Sequence, residues 1–135
     1  MEPRKTKARV LNCSYPAAMV AAHPRAGDKI LVFKERWRDL VLRRRKTMEI
    51  RGAALKAGLY WIGCRGEITG RLVLGAALPI TDESAWIALR GQHCVDGAAL
   101  PYKRTFGLPV LSVHKVAPLK YTHPRGAIGV VRYRP

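Results

Sequence analysis

The sequence predicts a small α+β domain, mostly β, arranged as a mixed barrel with two or three short helices. Three observations lead to this fold class. Short runs of strand-forming residues alternate with turn sequences, glycines interrupt the longest run, and two segments have a helical period. The length of 135 residues fits one domain, and an apolar share of 48% is sufficient for a packed core.

The first strand and the first helix of the domain are predicted from the pattern of apolar residues after residue 28. Residues 1–28 are expected to form a basic N-terminal arm and residues 29–135 the domain. Residues 29–33 are rich in strand formers. Apolar side chains then recur at helical spacing, which predicts a short amphipathic helix that ends near residues 43–45. The apolar side chains of that stripe are Phe33, Trp37, Leu40 and Val41.

Residues 47–51 alternate between polar and apolar side chains, which predicts a half-buried strand. Met48 and Ile50 are expected on one face, and Thr47, Glu49 and Arg51 on the other. After a connection over residues 52–58, two further strands are predicted at 59–64 and 68–77. A turn at Arg65-Gly66 joins them, and the glycines at 70 and 75 suggest bulges or barrel corners.

A second helix is predicted to open at Thr81, whose side chain can accept a bond from the backbone N–H of the third helical residue. Trp86, Ile87 and Leu89 provide its apolar side, and Gly91 is the expected stop. Residues 92–101 have a loop-like composition. Two predicted strands, at 110–116 and 127–133, complete the chain, with a turn-rich segment at 121–126 between them.

The charge balance predicts a polyanionic partner. The chain has 25 Lys and Arg against 9 Asp and Glu, for a formal net charge of +16. Such a charge destabilises a compact protein unless a polyanion or salt relieves it, and nucleic acid is the most common such partner. Residues 34–56 and the acid-free segment after Asp96 carry much of the excess, which favours one basic face over a diffuse cationic surface.

Other classes of function are poorly supported. Cys13, Cys64 and Cys94 are odd in number and widely spaced, which indicates free thiols in a reducing compartment. His93 beside Cys94 is too little for a metal site, so neither a metal nor a cofactor is predicted. No apolar run approaches 18 residues, so no membrane span or membrane partner is expected. The predicted location is intracellular, in the cytoplasm or nucleus, with an organelle left open by the basic N-terminus.

The segment from Arg43 to Arg51 carries the chemistry. Arg43, Arg44, Arg45 and Lys46 are four consecutive cations at a predicted helix end, where positive charge is favourable. A purely structural interpretation, or an import signal, therefore remains open. In a functional interpretation, crowding by cations disfavours charged Lys46 and prepares it as a base or nucleophile. Glu49 would accept a hydrogen bond from an exocyclic amine or act as a general acid or base. Arg51 would bind a phosphate group or the edge of a nucleobase.

This segment, from Leu42 to Arg51, resembles the signature of ASCH domains (activating signal cointegrator homology), a helix followed by G-x-K-T-x-E-x-R. Arg44 stands where that signature often has glycine. The end of the chain is similar too, with Tyr102 and Phe106 before a strand and the sequence His-Pro-Arg-Gly-Ala-Ile-Gly at 123–129 before the last one. The resemblance extends over about residues 29–133.

The resemblance implies a PUA-like β-barrel that binds RNA. Some members of the family remove the acetyl group from N4-acetylcytidine, and others cleave RNA. In the hydrolytic members the motif lysine is catalytic, which corresponds to Lys46, and the residue three further on lines the site, which is Glu49 here. A later carboxylate also takes part, and Glu83 and Asp96 are the two candidates for it.

The favoured hypothesis is therefore a domain that holds single-stranded RNA, or a modified nucleotide, in a basic cleft. A hydrolase acting on N4-acetylcytidine, a ribonuclease using Lys46 and a structural subunit of a ribonucleoprotein are the alternatives. Aromatic side chains could stack bases or fill the core: Trp61, Trp86, Tyr102, Phe106 and Tyr121. The expected RNA-binding residues are Arg43, Arg44, Arg45, Arg51, Tyr102, Lys103, Arg104 and Arg125.

Overall fold

The computed structural model describes residues 23–135. Most of the predicted arm therefore lies outside the described residues. The described part is mostly β with three short helices, and this confirms the predicted fold class. The elements are β1 (Lys29–Val32), α1 (Glu35–Leu42), β2 (Met48–Arg51), β3 (Gly58–Cys64), β4 (Glu67–Leu74), β5 (Leu78–Ile80), α2 (Glu83–Ala88), α3 (Arg90–His93), β6 (Thr105–Lys120) and β7 (Val130–Arg132).

The strands form one curled sheet in the order β2-β6-β4-β3-β1-β7, with β5 beside β6. All pairings are antiparallel except that of β1 with β3. The 16-residue strand β6 pairs with β2 and β5 through its first residues and with β4 through the rest, so it joins β2 and β5 to the remaining strands of the sheet. No helix within residues 23–135 is long and apolar enough to cross a membrane.

Strand β6 is much longer than the predicted strand at 110–116. Pro109 and Pro118 lie inside it, and a proline lacks the N–H group that a strand ladder needs, so the sequence favoured a shorter element. The carbonyl of Pro109 nevertheless accepts a bond from the backbone N–H of Gly75, 2.8 Å away. At the other end of the sheet, β7 covers only the last part of the predicted strand at 127–133.

Three apolar clusters cover the sheet on both faces. The inner cluster includes Leu31, Phe33 and Tyr60, and the opposite face carries a second cluster around Ile30 and Trp61. A third cluster places Trp86 of α2 against Met48 and Ile50 of β2, with Ile80 beside them. The strand predicted at 47–51 is present as β2, but the prediction of one exposed face was wrong, because Glu49 is buried together with Met48 and Ile50.

The second helix also differs in detail from its prediction. Asp82, and not Thr81, is its N-terminal cap, and its carboxylate accepts a bond from the Ala85 N–H at 2.8 Å. Ile87 is 45% exposed, so the apolar side of the helix is carried by Trp86. Gly91 does not end the helical segment, because it lies within α3, which extends to His93. Cys94 is the C-terminal cap of α3 and has a left-handed φ of 62°.

Candidate nucleic-acid interface

Lys46 lies in a buried polar position at the junction of α1 and β2. Its side chain is 2% exposed. The ammonium Nζ donates to the carbonyl oxygen of His93, lies 3.8 Å from Oε1 of Glu49, and stands 4.7 Å from the centre of the Trp37 ring. Burial lowers the pKa of Lys46, and the nearby charge of Arg51 acts in the same direction, while Glu49 opposes the shift. At a given pH, a larger fraction of Lys46 is therefore neutral than of an ordinary surface lysine.

Glu49 lies between two cations. Its side chain is 6% exposed, and Oε2 accepts a bond from Nε of Arg51 at 2.6 Å. Arg51 also donates from Nη2 to the carbonyl of Val32 at 2.8 Å, and its guanidinium stands 5.2 Å from the centre of the Phe33 ring. The carboxylate of Glu49 and the guanidinium of Arg51 therefore form an ion pair. We call Lys46, Glu49 and Arg51 the charged centre.

The backbone carbonyl of His93 holds Lys46 in place, and the His93 ring is itself fixed. Nδ1 accepts a bond from the backbone N–H of Val95 at 2.9 Å. Nε2 therefore carries the proton and donates to the carbonyl of Trp86 at 2.8 Å. The rings of His93 and Trp86 stack with their centres 3.8 Å apart. Burial lowers the pKa of His93, which agrees with a neutral ring.

Sequence reasoning missed this role of His93. The contact with Lys46 uses a backbone carbonyl, which every residue has, and it joins positions 47 residues apart. No residue type in the sequence signals such a contact. Both ring nitrogens are occupied by backbone groups, and within residues 23–135 no three His, Cys, Asp or Glu side chains gather as metal ligands.

The predicted RNA-binding residues at 102–104 lie next to the charged centre. Arg51 pairs in register with Phe106 across β2 and β6, and the guanidinium of Arg104 stands 5.4 Å from the Phe106 ring centre. The Tyr102 ring lies against Gly52, which directly follows Arg51. Tyr102 is 46% exposed, and Lys103 and Arg104 are exposed as well. The other aromatic candidates for stacking are buried: Trp61, Trp86, Phe106 and Tyr121.

The remaining predicted cations are divided between the other end of β2 and the far side of the sheet. Arg43, Arg44 and Arg45 precede Lys46 directly, and Arg45 is exposed. Arg44 turns toward β6, where Nη2 donates to the carbonyl of Val113 at 2.9 Å. Arg125 is exposed in the turn between β6 and β7, and no contact in the described part of the chain joins it to the charged centre.

Comparison with known proteins identifies the fold. No family model and no curated protein matches the sequence. Solved structures of the ASCH protein from Zymomonas mobilis do match, at 12% sequence identity and a TM-score of 0.64. The match covers 80% of this chain and 88% of that one. The chain has the ASCH fold. A serine-to-alanine variant of the same protein matches over 83% of this chain and 92% of that one, and a tyrosine-to-phenylalanine variant over 80% and 91%.

The backbone before Lys46 turns sharply at Arg44. The chain leaves α1 through Arg44, which has a left-handed φ of 62°. The backbone N–H groups of Arg45 and Lys46 both donate to the carbonyl of Leu40, at 3.0 and 3.1 Å, and so close the helix end. Glycine adopts this conformation without strain, and that accounts for the glycine that the signature often has here. Arg44 adopts this left-handed conformation although it is not glycine, which is uncommon.

Of the two later carboxylates, Asp96 reaches the surroundings of the charged centre through Arg36 and does not contact Lys46, Glu49 or Arg51 in the described part of the chain. Its Oδ2 lies 3.8 Å from Nη2 of Arg36, and the Arg36 guanidinium stands 4.5 Å from the ring centre of Trp37, the same ring that Lys46 faces. Asp96 is 91% exposed at its side chain and lies in the loop after α3. Glu83 is in the first turn of α2. Within residues 23–135, the carboxylate paired with Lys46 is that of Glu49.

Proposed function

We propose that this chain is an RNA-binding domain that holds one unpaired nucleotide at the charged centre. The observation that carries the proposal is the burial of ionisable side chains there: Lys46 is 2% exposed and Glu49 6%. Burying charges costs free energy that their mutual attraction often fails to recover, and apolar residues of similar volume would stabilise the fold at least as well. Clusters of buried, perturbed charges are typical of functional sites.

The surroundings of the charged centre favour RNA as the ligand. Exposed cations flank both ends of β2, namely Arg43 and Arg45 at one end and Lys103 and Arg104 at the other. The half-exposed Tyr102 offers a face on which a base can stack. Sequence-specific RNA recognition targets unpaired bases, which can be splayed out and bound in this way. The resemblance of residues 42–51 to the ASCH signature, on a shared fold, supports membership of that RNA-linked family.

RNA binding of this kind is expected to depend strongly on salt. The logarithm of the affinity for a single-stranded oligonucleotide should fall with the logarithm of salt concentration by about 0.7 per neutralised phosphate. Arg45→Gln removes an exposed cation beside Lys46 and should weaken binding and reduce the slope by about 0.7. Lys120→Gln, at the far exposed end of β6, is the matched control and should bind as the parent does. Titrations at several salt concentrations measure both quantities.

Two results would contradict this proposal. An affinity that does not change with salt would exclude phosphate contacts. Equal losses in Arg45→Gln and Lys120→Gln would indicate a diffuse cationic surface in place of a localised interface. Duplex RNA of the same length is a useful comparison, because it cannot place an unpaired base at the charged centre and should bind more weakly.

A second candidate function is hydrolysis of an amide on a modified nucleotide, such as N4-acetylcytidine. The lowered pKa of Lys46 and the carboxylate of Glu49 at 3.8 Å favour it. Neutral Lys46 can take a proton from the attacking water, and a proton is then delivered to the departing N4 nitrogen. Water adds to the acetyl carbon, the C–N bond breaks, and acetate and cytidine are the products. Arg51, fixed by Glu49 and Val32, can orient the nucleotide.

Turnover of a nucleoside panel that includes N4-acetylcytidine tests this candidate. We expect Lys46→Ala to reduce product formation by at least about 100-fold, the lower range for general acid–base groups. Lys120→Ala is the control for loss of one lysine. Turnover in the parent should rise with pH through an apparent pKa below the usual 10.5 of lysine, because the neutral amine is the active form. Unchanged turnover in Lys46→Ala would remove Lys46 from the mechanism.

A further inference from the structure

A second group of cations lies at the start of β1, at the opposite end of that strand from the charged centre. Lys29 and Arg132 are register partners across β1 and β7, so their side chains share one face of the sheet. Nζ of Lys29 stands 4.2 Å from the centre of the Tyr60 ring. The Tyr60 hydroxyl donates to the backbone carbonyl of Lys56 at 2.7 Å, which places the start of β3 beside them. We call Lys29, Lys56 and Arg132 the β1 basic cluster.

No carboxylate neutralises this cluster within the part of the chain that the structure describes. The ion pairs there involve other cations: Arg36, Arg38, Lys46, Arg51 and Arg65. Asp28, the acid adjacent to Lys29 in sequence, accepts bonds from the backbone of Arg25 and the indole of Trp61. Burial lowers the pKa of Lys29, and the charges of Arg132 and Lys56 lower it further. The three cations therefore repel one another, and a bound anion would relieve that repulsion.

The donors of the cluster suit a phosphate group. Arg132 is exposed, and within residues 23–135 the hydrogen bond of its side chain runs from Nη1 to the carbonyl of Gly27 at 3.2 Å, which leaves its other N–H groups for a ligand. A guanidinium binds two phosphate oxygens in parallel, whereas an ammonium contributes a compact positive charge. Lys56 is exposed as well, and Lys29 is half-buried over the Tyr60 ring, which limits its motion. This combination can hold one phosphodiester group from several sides.

We propose that the β1 basic cluster binds a backbone phosphate of the same RNA whose unpaired nucleotide occupies the charged centre. The proposal rests on the proposed function of that centre. Arg51 donates to Val32, the last residue of β1, whereas Lys29 is the first. Three strand steps place the two positions about 10 Å apart. One nucleotide cannot easily engage both positions, so the cluster should add affinity only to longer RNA, where the second contact is intramolecular.

A length comparison with a double variant tests the proposal. Lys56→Gln/Arg132→Gln changes two exposed side chains and leaves the buried face of the sheet intact. The probes are a single-stranded trinucleotide and a twelve-nucleotide strand of the same base. The variant should bind the longer strand at least about tenfold more weakly than the parent does, and bind the trinucleotide equally well. The salt slope for the longer strand should fall by about 0.7 for each phosphate that the variant no longer neutralises.

Lys115→Gln/Lys120→Gln removes the same charge from exposed positions on β6 and is the matched control. Equal losses in the two double variants would overturn the assignment of the cluster. No binding of either RNA to the parent would overturn the proposed function together with this inference. If the parent binds the trinucleotide and the twelve-nucleotide strand with equal affinity, the inference about the β1 basic cluster fails and the proposed function of the charged centre stands. If Lys56→Gln/Arg132→Gln loses binding to anionic phosphatidylserine vesicles and keeps its affinity for RNA, the cluster binds a membrane surface. That result would also overturn the inference.

Discussion

Replacing Glu49 by alanine is expected to lower the free energy of unfolding by about 3–5 kcal/mol, because it leaves buried cations without their counter-charge. Glu49 lies 3.8 Å from the ammonium of Lys46 and 2.6 Å from Nε of Arg51. Without the carboxylate, both cations remain in a poorly hydrated site and repel each other. Urea unfolding of the variant beside the parent measures the loss.

The loss in Glu49→Ala should become smaller at higher pH. Glu49 raises the pKa of Lys46 against the effect of burial, so its removal lowers the folded-state pKa of Lys46 further below 10.5. Between that folded value and 10.5 the unfolded chain binds more protons than the folded one, and stability therefore rises with pH. The difference in stability between parent and variant should be smaller at about pH 9 than at pH 7. The sign is opposite to that of a lysine whose pKa is raised by its partner, which loses stability as the pH rises.

A double-mutant cycle separates the ion pair from simple loss of packing. Lys46→Met removes the ammonium and keeps an unbranched apolar side chain, and Glu49 still pairs with Arg51. Lys46→Met/Glu49→Ala should recover part of the loss seen in Glu49→Ala alone. Glu67→Ala, at a half-buried glutamate on β4, is the control and should change stability by about 0.5 kcal/mol or less. A Glu49→Ala variant as stable as that control would contradict the role of Glu49 as the counter-charge of Lys46 and Arg51.

The charged centre could be predicted in part from the sequence, because its three residues are close together in the chain. Lys46, Glu49 and Arg51 fall within six residues, and their polar types stand out beside the apolar Met48 and Ile50. The burial of Lys46 and Glu49 could not be predicted from the sequence. The alternation at residues 47–51 correctly predicted a buried face with Met48 and Ile50, but it predicted that Glu49 is exposed, whereas Glu49 is buried. Lys46, which is paired with Glu49, contacts the carbonyl of His93, 47 residues further along the chain, and no local period signals such a contact.

The fold shows the same division between local and distant information. The strand–helix–strand order before residue 65 and the turn at Arg65-Gly66 follow from local composition, and the structure confirms them. The parallel pairing of β1 with β3 and the double role of β6 depend on contacts between distant segments. The resemblance to the ASCH signature anticipated the architecture, because a family motif carries information about a whole fold that periodicity does not.

Replacing Trp86 by alanine should cost about 3–5 kcal/mol of stability and also weaken function, because this side chain supports the carbonyl that holds Lys46. Trp86 is fully buried. It stacks on His93 and donates from Nε1 to the carbonyl of Gly97 at 3.0 Å. Truncation leaves a cavity beside the His93 ring, so the His93 carbonyl is no longer fixed against the Lys46 ammonium. Urea unfolding measures the first effect, and titration with single-stranded RNA measures the second.

Trp86→Phe and Ile87→Ala make the prediction specific. Trp86→Phe retains a stacking ring but loses the bond to Gly97, so its cost should be intermediate, at about 1–3 kcal/mol. Ile87→Ala is the matched control, because Ile87 is the next residue of α2 and is 45% exposed. Its stability and RNA affinity should stay close to those of the parent. If Trp86→Ala still folds and binds RNA with unchanged affinity, the His93 carbonyl does not depend on Trp86 for its position. If its affinity falls by more than its stability explains, the packing of α2 and α3 sets the position of Lys46.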